Sequence, residues 1–347
     1  MTLVLNGPLP LEDVITYTQG VPLPSNTQLL QSFPRREYPT DEIDFVTITK
    51  TNRFAQFRNW DGNFWKSPRD TGSEKRVHMI PLGAQRGVNE YERRQIEYKR
   101  YGGTIQSVLA DAIFEDLDAQ TAYIYNRLEM AWGDVLSDGV LTINENGVQQ
   151  QVDYGIPSNQ KVTPAGALWS DTANSDPLFD LLAWYDVYRA INGAGPGQFL
   201  CSLTTARQLQ RNTKLINAIK GAQTGVTNVT LQDISALFES YNLPPISMDS
   251  VYDSFFLDDS NATVRPIAAN KFAFLPADLG QLGFTAWGTP TTVMEMIDVG
   301  VQVETGAGVI GMIVKADQPP YQKTTFVDAV ALPVLADPRK ILVATVA

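Results

Sequence analysis

The residues able to do chemistry in this chain are few, and most of them stand apart. His78 is the single histidine and Cys201 the single cysteine. That removes most His-based metal and general-base chemistry, and it excludes an intrachain disulfide or a multi-thiolate zinc site. A Cys201/His78 dyad stays open from sequence. Cys201, however, sits in an apolar run, Phe199-Leu200-Cys201-Ser202-Leu203, which favours an inert buried thiol. Glu115, Asp116 and Asp118 are close enough to hold a divalent cation. At helical spacing Glu115 and Asp118 share a face while Asp116 points at least 100° away, so a solvated or interfacial acidic face is the better reading. The glycine-rich stretch Gly193 to Gly197 follows a helical pattern instead of opening one and reads as a turn, not a phosphate cradle. Neither a phosphate loop nor a Gly-x-Ser-x-Gly elbow is present. Trp60, Phe64 and Trp65, interleaved with Arg53, Arg58, Lys66 and Arg69, have the composition to stack bases or to anchor a subunit contact. The net charge of −11 favours the contact, because phosphate neutralisation needs an excess of Lys and Arg.

The elements that must position these residues follow from pattern. The chain has 347 residues, 44% hydrophobic and 19% charged, enough for about two globular domains. No run approaches the ~20 apolar residues of a membrane span. The first ten residues lack a signal-peptide pattern, so a soluble protein made in a reducing cytoplasm is expected. Residues 1–44 read as an arm. Pro8, Pro10, Pro22, Pro24, Pro34 and Pro39 leave room for a helix only from Leu11 to Tyr17, and such an arm needs another surface to lie on. Residues 45–88 read as a long two-stranded excursion, outward through Phe45 to Thr49 and back through Arg76 to Leu82. It is marginal alone and must pack on something else.

A helix capped at Asn89 gives way at Gly102-Gly103 to a long one over residues 104–138, roughly 50 Å at ~1.5 Å per residue. Ile105, Val108, Leu109, Ala112, Ile113, Leu117, Ile124, Leu128, Ala131 and Val135 form its apolar stripe, with Thr121 the polar member. Asp111, Glu115, Asp118 and Glu129 are expected on the opposite face, and Gly139 closes the helix. A hairpin turns at Asn146-Gly147. Residues 166–287 alternate helices and strands as a mixed α/β unit. These include a helix from Pro177 capped by Asp176 and another capped by Thr230 with Asp233 in the capping-box position. From Thr292 the chain reads as strands, the first over Met294 to Val303.

Charge is unevenly spread. From Lys50 to Arg100 there are twelve basic residues and six acids; from Gly103 to Asp138 there are seven acids and Arg127 alone. Either these are solvated surfaces that never meet, or the basic loop of one subunit lies over the acidic helix of the next. In the second case complementary potentials would set register and association rate more than affinity. Arg53, Arg58, Trp60, Phe64, Trp65, Lys66 and Arg69 on the loop, with Asp111, Glu115 and Asp118 on the helix, are the candidate intersubunit interface.

The order of elements resembles a known family. Arm, hairpin excursion, long spine helix, hairpin, α/β unit and returning strands together resemble the Hong Kong 97-type phage capsid fold, an α+β fold. Phe33-Pro34-Arg35-Arg36-Glu37-Tyr38-Pro39-Thr40 is similar to the arm-to-strand junction of the phage lambda-like major capsid protein E family. Arg93-Arg94-Gln95-Ile96 resembles its helix start, and Val152-Asp153-Tyr154-Gly155 with Trp169-Ser170-Asp171 the stretch after its hairpin. Ala331-Leu332-Pro333-Val334-Leu335-Ala336-Asp337-Pro338 resembles its Leu-Ala-Asp-Pro ending.

The resemblance implies an N-terminal arm (1–44), an extended loop (45–88), a peripheral domain (89–165 and 288–347) and an axial domain (166–287). It implies the major capsid protein of a tailed double-stranded DNA bacteriophage. Such subunits self-assemble as hexamers and pentamers into an icosahedral head, in the host bacterial cytoplasm, and end in the virion capsid. Implied partners are further copies of itself, a separate scaffold, a portal and a decoration protein. The shell encloses DNA without sequence-specific binding and meets no membrane. No catalytic residue, metal or cofactor is implied. The alternatives are an encapsulin-like nanocompartment shell of the same fold and an enzyme with an unrecognised acidic site at Glu115 and Asp118.

Overall fold

Apolar side chains recurring every three or four residues produce one helix, Ile105–Asp138, of 34 residues. A computed structural model describes residues 2–3, 11–40, 42–48, 57, 72–88, 105–222, 225–258, 260–298, 300–301, 303, 306–315, 318–319 and 322–347. The expected break at Gly102-Gly103 and the cap at Asn89 lie outside them. Along this spine helix Ile113, Leu117, Thr121, Ile124, Leu128, Ala131 and Val135 are buried as expected. A second buried row, Tyr125, Glu129, Trp132 and Leu136, widens the stripe. Glu129 therefore does not belong to the solvated face, as its charge alone suggested. Gly139 ends the helix at φ +77°, where an added Cβ would also strike the Ile156 side chain at 2.4 Å.

The spine helix lies on a sheet built around the 13-residue strand Lys323–Leu335. One edge of that strand pairs with Ile80–Val88. The other carries two strands end to end, Ile310–Lys315 and Gly283–Gly288. Arm residues close both ends of this row: Thr2–Leu3 pairs with Ile310–Lys315, and Arg35–Glu37 with Gly283–Gly288. Trp132 Nε1 donates to Thr285 Oγ1 at 2.9 Å and fixes helix to sheet.

The arm holds more helix than its prolines suggested. Leu11–Gly20 runs three residues beyond Tyr17, because Leu11, Val14, Ile15 and Thr18 form a buried face at helical spacing. A short helix, Gln28–Ser32, follows. The surface that the described arm lies on is its own chain: Val14, Leu29, Leu30 and Phe33 join the main core.

The excursion is a two-stranded ribbon, Glu42–Ile48 against Gly72–His78. The return strand starts earlier than expected and breaks at Met79, after which Ile80–Val88 enters the main sheet. Its tip, Phe57 excepted, lies outside the described residues. The hairpin Val140–Glu145 and Val148–Asp153 turns at Asn146 and Gly147, both with positive φ, as expected.

The α/β unit has a second, five-stranded sheet in the order Val251–Tyr252, Gln198–Ser202, Lys271–Leu275, Leu342–Thr345, Lys161–Val162. Its core is aromatic: Trp169, Trp184, Phe199, Phe238, Phe272 and Phe274. The expected caps are present. Asp176 accepts from Phe179 N at the start of Pro177–Asn192, and Thr230 with Asp233 forms a capping box on Leu231–Ser240. Two departures concern the C-terminal part. The expected strand from Met294 to Val303 is instead a helix, Thr291–Asp298, because Val293 and Met296 on one face pack against Leu11, Ile15 and Ile310. The last strand leaves the long-strand sheet and completes the α/β sheet.

Candidate assembly site

The spine helix presents carboxylates at two levels, and the arm touches both. At the lower level Glu129 is fully buried. Its Oε1 accepts from Leu29 N at 2.9 Å and its Oε2 from Leu30 N at 2.7 Å. Tyr252 Oη, on the edge strand of the α/β sheet, donates to Oε1 at 2.5 Å. The acceptor is needed because Thr27, the N-cap of Gln28–Ser32, makes no side-chain cap; its hydroxyl turns back to Pro24 O. Two orphan N–H groups of that first turn thus find their acceptor on another element. Beside them Phe33 stacks on Trp132 with ring centroids 3.6 Å apart. Burial pushes the Glu129 carboxyl above its ordinary value, opposed by the bonds from Tyr252, Leu30 and Leu29. Burial first, and then the Glu129 carboxylate, raise the Tyr252 phenol. One carboxylate therefore joins arm, spine helix and α/β unit.

At the upper level Asp118 accepts from Tyr17 Oη with both oxygens, at 2.9 and 3.0 Å. Tyr17 packs on Phe114. Asp116 pairs with Arg86 at 3.2 Å, a contact between the basic segment and the acidic helix inside one chain. Glu115 is exposed. Of the other candidate interface residues, Asp111 is on the helix with its side chain outside the described residues. Arg53, Arg58, Trp60, Phe64, Trp65, Lys66 and Arg69 lie outside them altogether. Among the described residues no group of His, Cys, Asp and Glu is arranged to hold a metal ion.

Cys201 and His78 occupy different sheets. Cys201 is buried and its thiol is pushed up to about 12, while His78 is exposed on the ribbon. A thiolate is the nucleophile in alkylation. Cys201 is accordingly expected to resist a maleimide reagent in the folded protein and to react stoichiometrically in urea, which mass spectrometry reads; labelling of the native protein within minutes would contradict the burial.

Large apolar side chains stand exposed in two small groups. Met294 and Ile297 share the outer face of Thr291–Asp298, and Phe255 and Leu257 border the turn at Asp258. A cavity of about 370 Å³ opens between the hairpin, strand Ile80–Val88 and the spine helix, bordered by exposed Tyr123 and by the Arg127–Glu145 pair.

A long spine helix, an arm-tethered sheet, a two-stranded ribbon and an α/β unit with its own core make up the fold. Comparison with solved structures gives it a specific form. A prophage protein of E. coli CFT073 assigned as a capsid protein superposes with a TM-score of 0.60 at 14% identity, over 95% of each chain. A phage-related protein from Bordetella bronchiseptica RB50 superposes with a TM-score of 0.54 at 12% identity, over 95% of this chain and 94% of that one. The chain has the Hong Kong 97-type capsid fold. No family model and no curated protein matches its sequence.

Proposed function

We propose that this protein is the major capsid protein of a tailed double-stranded DNA bacteriophage, assembling as hexamers and pentamers into an icosahedral head. The supporting observation is the near-complete two-way coverage by the prophage capsid structure, which leaves no large part of the chain for another task. The acidic balance is consistent with a shell that encloses DNA without gripping it. Scaffold, portal and decoration proteins are the partners this reading brings, with assembly in the host cytoplasm. The two cores suggest a peripheral unit around Lys323–Leu335 and an axial unit around Lys271–Leu275, the latter taking in residues 342–345.

Electron microscopy of the purified protein, made with and without its neighbouring genes, tests the reading. Closed shells or hexameric rings are expected; a clean monomer under both conditions would sink it. Protected DNA inside shells made with portal and terminase separates a phage head from a protein-filled nanocompartment.

The loop-over-helix contact gives a second expectation. Reversing Arg53, Arg58 and Lys66 to Glu should impair assembly, more at low salt than at high, because screening shortens the reach of the field to about 10 Å at 0.1 M. Light scattering reads this, and unchanged assembly kinetics would exclude the contact. Among the helix acids whose side chains are described, Glu115 is the open one at this end, since Asp116 and Asp118 already have partners within the chain.

A further inference from the structure

The α/β unit carries a cleft that the shell reading does not use. It is lined by Ser170, Thr172, Thr204, Arg207, Gln208 and Arg211 and encloses about 400 Å³. Thr204, Arg207, Gln208 and Arg211 come from one face of helix Leu203–Arg211, at spacings of three and four residues. The helix's other face, Thr205, Ala206 and Leu209, is buried and holds it in place. Ser170 and Thr172 come from the turn after Trp169, whose ring is buried in the aromatic core. Both walls of the cleft are thus set by rigid packing.

The charges in the cleft are unbalanced. Nearby cations are committed elsewhere: Lys214 to Asp176 and Lys220 to Asp233, both at 3.0 Å. Arg207 and Arg211 have no ion-pair partner among the described residues, in a chain whose net charge is −11. Like charges one helical turn apart repel, so a bound anion would relieve a standing cost. The acid in the facing turn, Asp171, is turned onto its own loop. It accepts from Ala173 N, Asn174 N and Asn174 Nδ2, and those bonds hold its carboxyl below the usual range.

We propose that this cleft binds phosphate groups. The two guanidinium forks match phosphate oxygens bidentately, and Ser170, Thr172 and Thr204 supply hydroxyl donors around them. The phosphate can come from a free polyphosphate or from a nucleic-acid backbone, and the same chemistry serves both. Phosphate binding itself stands whether or not the protein builds shells; only the nucleic-acid source draws on that reading.

The test uses the full chain, with inorganic phosphate and tripolyphosphate as probes followed by thermal shift and titration calorimetry, and a labelled short DNA duplex followed by anisotropy. Tripolyphosphate is expected to raise the melting temperature of the wild type. Arg207→Gln with Arg211→Gln should weaken its binding about tenfold or more, through lost charge-assisted bonds, while the ligand-free melting temperature stays in place or rises slightly, because both side chains are exposed and their mutual repulsion is removed. Competition by the duplex at low salt assigns the backbone as a source; binding of tripolyphosphate without competition assigns the free anion. Equal affinity in wild type and double variant would overturn the proposal. So would a double variant that loses assembly but keeps phosphate affinity, since the cleft would then seat an acidic segment of a neighbouring copy.

Discussion

Glu129→Ala is expected to be the most damaging single change on the spine helix outside the apolar core. It leaves three buried donors, Leu29 N, Leu30 N and Tyr252 Oη, without their acceptor. Leaving these buried donors unsatisfied costs about 3–5 kcal/mol in all, or a fall of roughly 4–7 °C in melting temperature for a protein of this size. The carboxylate's own desolvation cost disappears with it, which keeps the figure below a sum over three lost bonds. Tyr252→Phe removes one donor cleanly and should cost about 1 kcal/mol. Glu115→Ala, on the exposed face, should stay within about 0.5 kcal/mol. The variant should also release the arm, so limited proteolysis is expected to cut between residues 20 and 40 in Glu129→Ala and not in the wild type. Equal melting temperatures and an uncut arm would show that Phe33 on Trp132 holds the arm without the carboxylate.

The same residue fixes the sign of a pH dependence. Its carboxyl is raised above the ordinary 4.5, so between those two values the folded state binds more protons than the unfolded one. Stability from this group is then fully present below 4.5 and is lost as pH rises through the raised value. Acidification alone does not loosen the arm through Glu129. Urea midpoints measured from neutral pH downward should show this component in the wild type and lose it in Glu129→Gln.

Why Glu129 escaped the sequence reading is instructive. Its partners lie about a hundred positions away on either side, and a charged residue in an acidic helix reads as solvated by default. A local signal was present: Tyr125, Trp132 and Leu136 stand four before, three after and seven after it, which places Glu129 on an apolar row. Features carried by adjacent residues were legible. Asn146-Gly147 encodes its own turn, Thr230 and Asp233 their own capping box, and Gly139 its own left-handed stop. Met294 to Val303 was misread as a strand for the opposite reason. A short apolar run takes its period from what it packs against, and the surface that decided it, Leu11 and Ile15, belongs to the arm. The phosphate cleft was half legible. A helix over Thr204 to Leu209 was expected, which carries Arg207 but stops short of Arg211, and nothing local joined it to Ser170 and Thr172.

Gly133→Ala sets two physical effects against each other, and their sizes decide the outcome. Gly133 stands inside the spine helix, where propensity alone would make alanine better by about 1 kcal/mol. An added Cβ, however, would lie 2.1 Å from Pro266 O, 2.3 Å from its carbonyl carbon and 2.5 Å from its Cβ. The obstacle is mostly backbone, so no side-chain rotation clears it. Relief requires the segment after Val264 to move outward by more than 1 Å, roughly the gap to an ordinary carbon contact of 3.5–4.0 Å. That motion pulls Ile267 from the main core. Overpacking of this kind costs about 1–3 kcal/mol, and the backbone character of the clash places it at the upper end, so the propensity gain is overridden. Calorimetry should show a lower melting temperature, and one equal to or above the wild type would mean the helix and Pro266 separate freely. The consequence for assembly is larger than the stability change suggests. Gly133 sets how closely the spine helix approaches the α/β unit, and in the shell proposed above that approach is repeated in every copy. A small rotation repeated through many copies misdirects curvature. Gly133→Ala is therefore expected to yield open or irregular assemblies at temperatures where the subunit remains folded, which electron microscopy of the same preparation would reveal.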